Sequence, residues 1–205
     1  QHVLSLLKGL DREKYRISLV CSKHGTLAQQ AQQLGIPTYI IPIASISKVP
    51  RIGYALLRLA APIAIERPHI IHAHSWSAAF IASFLLRPLP RRPRLVCTLH
   101  SFPPSQGTLS RSIIRLISNA TDRFICVSHA LSKTIEDTAQ GKISIIPNGI
   151  EPAETYFEQN AARKELGLPI GVPLVGAVAR LAPQKGIGVL VEAAALLPDV
   201  HFAVI

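Results

Sequence analysis

Arg180 and Lys185 stand five residues apart directly after an apolar run, and Gly186 follows them where a helical pattern begins. A guanidinium fork, a point-charge ammonium and a helix amino end form a setting for an anion, and the glycine lets the backbone turn tightly enough for helix amides to face it. The chemistry such a loop suits is the holding of an anion, whose charge two cations can stabilise without a metal. Taken alone, the same pair also reads as ordinary solvated loop charges, the usual fate of Lys and Arg.

Histidines supply the second candidate group. His72 and His74 flank Ala73, so on a strand they face one side, and His-x-His on one face can ligate a metal. The neighbouring Ser75-Trp76-Ser77 adds no ligand and the chain has 12 acidic residues, so no metal is expected; His72 is assigned to the sheet interior and His74 to a cleft. His100 ends a further apolar run, Ser128 and His129 follow another, and Asn148-Gly149 follow a fourth. Ser128 reads equally as a helix N-cap. The three cysteines, Cys21, Cys97 and Cys126, are widely spaced in strand-like runs without C-x-x-C pairing, the pattern of buried reduced thiols in a cytosolic protein.

The elements that must carry these residues alternate in type. Short β-branched runs predict strands over 16–21, 38–43, 70–74, 95–99, 123–127 and 143–146, then over 174–179 and 202–205. Helical patterns fall between them at 2–10, 27–34, 52–65, 76–86, 109–119, 130–138, 161–166 and 187–197. This rhythm predicts an α/β fold: a Rossmann-like parallel sheet with helices on both faces over 1–147, a linker over 148–172 starting at Pro147-Asn148-Gly149, and the start of a second Rossmann-like domain over 173–205. In open parallel sheets ligands sit beyond the carboxyl ends of the strands, where the polar residues named above fall. The Pro-rich stretch 87–94 is an exposed connector.

With 48% hydrophobic and 17% charged residues the chain is globular rather than disordered, and its apolar runs are too short to span a bilayer. A formal charge of +10 asks for an anionic partner. Aromatics are only 5% and scattered, which disfavours nucleic acid. Arg111 and Arg115 on 109–119, and Arg51 and Arg58 at 52–65, accompany apolar helix faces, so an anionic membrane surface is the partner to expect. Gly176 to Arg180 lacks the G-x-G-x-x-G of a nicotinamide enzyme. The chain contains no Met and opens inside an apolar run, which reads as a piece without its natural start.

In order along the chain, Pro68 to His74, Val96 to Ser101, Ile125 to Ser128, Ile146 to Ile150 and above all Val178-Ala179-Arg180-Leu181-Ala182-Pro183-Gln184-Lys185-Gly186 resemble the strand ends, interdomain turn and donor loop of the family 4 retaining glycosyltransferases. The resemblance implies the two-Rossmann-domain GT-B architecture, with the family's first strand falling ahead of Gln1. It implies transfer of a sugar from a UDP- or GDP-sugar, with retention, to an acceptor that is lipid-linked or anionic, in glycolipid, polysaccharide or other glycoconjugate synthesis. Arg180, Lys185 and Gly186 would hold the donor diphosphate, His100 would contact the reacting sugar, and His74, Ser128 and Asn148 would line the acceptor side or cleft. No cofactor or metal is implied, and the setting is cytoplasmic, peripheral to a membrane. Two departures matter: Ala179 stands where the family often has Gly, and the family's paired-Glu segment would follow Ile205, so the chain alone is expected to be inactive. A sugar-nucleotide epimerase on the same fold and a noncatalytic basic membrane- or nucleic-acid-binding module are the alternatives.

Overall fold

The computed structural model describes residues 2–43, 49–87, 89, 91–102, 108–150 and 157–205, which divide into two compact units, Gln1–Gly149 and Ile150–Ile205. In the first, α1 (His2–Gly9), β1 (Leu19–Cys21), α2 (Thr26–Gln33), β2 (Thr38–Ile40) and α3 (Val49–Glu66) precede β3 (Ile70–Ala73) and α4 (Trp76–Leu86). They are followed by β4 (Arg94–Leu99), α5 (Thr108–Ala120), β5 (Arg123–Cys126), α6 (His129–Lys133) and β6 (Ile143–Ile145). Strands β3-β4-β5-β6 form a parallel sheet in chain order, and β1 pairs in parallel with β2. Every strand expected from the sequence is present.

Burial follows from position in this sheet. On β4, Leu95, Cys97, Thr98 and Leu99 are all buried, so both faces of the strand are covered, as a near-continuous apolar run requires. Helix α4 is apolar all round and buries Trp76, Phe80, Ile81 and Leu86 within the main cluster. Ser75 caps it, its Oγ accepting from the Ala78 amide at 3.1 Å. The cysteines are free and buried; burial first, and the nearby Cys126 second, push the Cys97 thiol up to about 12, so it is inert at neutral pH.

Asp122 anchors the Pro-rich connector. Its carboxylate accepts from Arg92 at 2.7 and 3.1 Å, from Arg94 at 2.9 Å and from the Leu95 amide at 2.8 Å. Burial alone would raise this carboxyl, but the hydrogen bonds outweigh it and hold the pKa at about 2. At the end of α5, Lys142 Nζ donates to the Ser118 and Thr121 carbonyls at 2.8 and 3.0 Å, where the helix dipole favours a cation.

Three sequence expectations need correction. The helix expected over 130–138 ends at Lys133, because Thr134 and Thr138 return their hydroxyls to the Leu131 and Ile135 carbonyls and the chain tightens into i→i−3 turns. The apolar face of α5 is committed to the core through Ile114 and Ile117, so this helix has no free apolar face to lay on a leaflet; Arg111 and Arg115 stay exposed. It is α3 that shows apolar surface outward, with Tyr54 50%, Leu57 74% and Ile65 67% exposed and Arg58 5.9 Å over the Tyr54 ring. The side chain of Arg51 lies outside the described residues. His72, expected inside the sheet, is only half-buried.

Among the described residues no ladder joins β1 to β3; a cavity of about 670 Å³ lies between them. Leu19 donates to Pro37 and Cys21 accepts from Ile41 on the β2 side, so strand alternation turns the Val20 amide and carbonyl toward the cavity. Likewise His69 accepts from Arg94 on the β4 side, which turns Ile70 and His72 toward it. Leu59, Pro62 and Ile63 of α3 and Ala78 and Ala82 of α4 complete its walls.

The second unit contains α7 (Gln159–Glu165), β7 (Leu174–Ala177), a 3₁₀ turn (Pro183–Lys185), α8 (Ile187–Ala195) and β8 (His201–Val204), the two strands pairing in parallel. Arg163 Nη1 donates to the Pro169 and Val172 carbonyls at 3.0 and 2.9 Å, holding the approach to β7. Among its described residues none is buried: Val189 is 68% exposed and Leu196 81%.

Candidate functional site

Parallel pairing in chain order places the carboxyl ends of β3, β4, β5 and β6 side by side along one edge of the sheet. His74 follows β3, His100 follows β4, Ser128 follows β5 and Asn148 lies beyond β6, so the first unit's sequence-predicted site residues share that edge. The physical cause is uniform strand direction: every helix crossover returns the chain to the amino edge, leaving the carboxyl edge to the connecting residues.

Within this edge the structure gathers His74 and His100 more closely than the sequence implied, and adds two more histidines. The His74 and His100 rings stack at 6.0 Å between centroids, and His72 lies 4.1 Å from His74. His2, at the start of α1, is 5.6 Å from His74 and 4.8 Å from His100. Sequence reading missed His2 because it is far from the others in the chain and stood only as the first residue of an apolar helix. A histidine at the mouth of a helix next to a sheet edge was the available signal.

The environment favours the neutral form of His72, His74 and His100. Burial first, then His72, His2 and His100, lower the His74 pKa to about 3; burial first, then His2 and His100, lower His72, and burial first, then His2, lowers His100. Neutral imidazoles donate and accept hydrogen bonds but bring no charge, which suits sugar hydroxyls rather than phosphate. His72 shares a hydrogen bond with Thr98 Oγ1 at 2.7 Å, fixing the strand end, whereas His74 Nδ1 is buried without a partner. Trp76 Nε1 donates to the Ser101 carbonyl at 3.1 Å and thereby ties the start of α4 to the chain just after His100.

Ser128 Oγ accepts from the Leu131 amide at 3.3 Å, the N-cap that its residue type allowed. Asn148 is exposed at the end of the first unit. In the second unit Arg180 follows β7, Lys185 closes the 3₁₀ turn and Gly186 adopts φ 65°, ψ 21°, a left-handed conformation that glycine takes without strain before α8 begins. Arg180 and Lys185 are exposed, and neither has a hydrogen-bond or ion-pair partner among the described residues. This loop can therefore offer two uncommitted cations beside helix amides.

Comparison with known proteins places this arrangement. The sequence matches the family described as Glycosyltransferase Family 4 over residues 1–154. It is 30% identical over 153 residues to soluble starch synthase 3a of rice, covering 62% of this chain and 8% of that protein. It is 42% identical over 65 residues to the D-inositol 3-phosphate glycosyltransferase of Mycolicibacterium gilvum, covering 31% of this chain and 15% of that protein. The chain thus spans a minor part of the length of these curated relatives. The fold is similar to that of HepE from Anabaena, crystallised with UDP and glucose, at a TM-score of 0.72 and 18% identity, over 99% of this chain and 56% of that one. The GT-B type of fold expected from the strand-end motifs is accordingly the fold of this chain, which belongs to Glycosyltransferase Family 4.

Proposed function

We propose that the protein containing this chain transfers a sugar from a nucleoside-diphosphate sugar to an acceptor with retention of configuration. The observation that carries the reading is the row of strand-end residues around His100 within a segment that matches the family over 1–154. In this reading the first unit is the acceptor-side domain and the second begins the donor domain. Arg180, Lys185 and the amides following Gly186 take the diphosphate, and the leaving group's charge is met by these cations without a metal in the transfer step. His100, neutral, donates to or accepts from a hydroxyl of the transferring sugar, and His74 lies beside it toward the acceptor. A UDP-sugar is the first donor to test, since HepE was crystallised with UDP and glucose.

Exposed Tyr54, Leu57 and Ile65 with Arg58 on α3 support a peripheral approach to an anionic leaflet on the cytoplasmic side and a lipid-linked acceptor.

The experiment is donor and product analysis with the full-length protein: radiolabelled UDP- and GDP-sugars, a lipid extract, and anomeric assignment of the product. Transfer with retention is expected, and replacing Arg180 and Lys185 by Ala should weaken nucleoside-diphosphate binding by about 2–5 kcal/mol. Unchanged nucleotide affinity in that variant would remove the donor loop from this scheme; sugar epimerisation without an acceptor would replace the reaction.

A further inference from the structure

His2, His74 and His100 come from α1, the end of β3 and the end of β4, yet each places a ring nitrogen within 4.8 Å of the other two. Three atoms so spaced lie at most about 2.8 Å from a common centre, and zinc–imidazole bonds are about 2.0–2.1 Å, so each ring needs to move inward by no more than about 0.7 Å. Side-chain torsions supply such a shift without moving the strands.

A second observation on the same residue points to a ligand. His74 Nδ1 is buried and has no hydrogen-bond partner, an exception to the rule that buried polar atoms are satisfied. Its neighbour His72 packs against the ring at 4.1 Å and is itself held by Thr98 Oγ1, which limits the ways the His74 imidazole can turn. The donor set is all nitrogen. Imidazole without carboxylate selects borderline transition metals and gives Mg²⁺ or Ca²⁺ little to bind.

We propose that His2, His74 and His100 form a three-nitrogen binding site for a divalent transition-metal ion of the zinc type, with its remaining position open to water or a substrate oxygen. Of the His72-Ala73-His74 segment only His74 belongs to the site; the fold brings the other ligands from residues 2 and 100. The ion is inhibitory rather than catalytic: it takes His100 away from the sugar. That consequence rests on the transferase reading, whereas binding does not.

The test is titration of the purified chain with Zn²⁺ by calorimetry and with Co²⁺ by visible spectroscopy, using Mg²⁺ as the control. One equivalent of Zn²⁺ should bind, Co²⁺ should give the intense bands of a low-coordinate nitrogen site, and Mg²⁺ should give no heat. His2→Ala and His100→Ala should each weaken Zn²⁺ at least tenfold, while His201→Ala, on β8, should leave it unchanged. His2 starts a helix and His100 is exposed, so both variants keep the core, which circular dichroism verifies. Equal affinity in wild type, His2→Ala and His100→Ala would overturn the site, as would Zn²⁺ binding no better than Mg²⁺. In the full-length enzyme Zn²⁺ should suppress transfer, and His2→Ala should relieve the suppression. Binding without suppression would overturn the inhibitory role alone.

Discussion

Residues 1–149 and 150–205 follow the same rule of strand, helix and parallel strand, yet among the described residues only the first has buried ones. The difference does not come from apolar content. Strand β7 reads LVGA and β8 HFAV, little different from IIHA in β3, and α8 is strongly apolar. It comes from the number of neighbours. β4 lies between two strands under helices on both sides, whereas among the described residues β7 pairs with β8 alone. Burial is therefore a property of the assembled layers, and an apolar helix without enough sheet to cover remains exposed.

The sharpest way to break this contrast is to remove the largest fully buried side chain of the first core. Phe124→Ala, at a fully buried position on β5, should destabilise the first unit by about 3–5 kcal/mol in denaturant unfolding. A loss below about 1 kcal/mol would mean that the first unit is no better packed than the second. A smaller effect concerns the tie between the Pro-rich connector and the sheet. Because the Asp122 carboxyl titrates at about 2 rather than 3.8, its contribution is complete above pH about 4 and fades as pH falls toward 2. Asp122→Asn should cost about 2 kcal/mol at neutral pH and flatten that part of the stability–pH curve. An unchanged acid limb would show that other carboxylates set it. The smallest effect sharpens the other side of the comparison. Val189→Ala on α8, a position 68% exposed, should change stability by less than about 0.5 kcal/mol. A loss of 2 kcal/mol there would show that α8 is covered in solution, by another chain or by more of its own domain.

The two units also differ in how their candidate sites are built. In the first, imidazole rings from distant segments crowd one sheet edge; in the second, two cations and a glycine lie within a single seven-residue stretch, Arg180 to Gly186. Local motifs of the second kind are legible in sequence because spacing alone determines their geometry. Sites of the first kind are legible only where each member ends a strand, as His74 and His100 do. His2 does not, and its place beside them depends on how α1 packs.

Periodicity in the sequence by itself determined the alternating elements, their parallel sheet and the edge on which polar residues gather, because strand and helix periods and short crossovers leave few other arrangements. The donor-loop glycine is equally local: Gly186 takes the left-handed conformation that its residue type permits. Tertiary structure alone decided which amphipathic faces were consumed. Arg111 and Arg115 suggested a membrane face on α5, but packing spends its apolar side in the core and leaves α3 outward with Tyr54, Leu57 and Ile65. It also set the electrostatics of the histidine group, since burial first and neighbouring rings second lower the pKa of His72, His74 and His100 only once α1, β3 and β4 have come together. Side-chain period records which way a residue faces along its own element; what it faces, and whether water remains between them, is set by contacts between segments that the chain order does not contain.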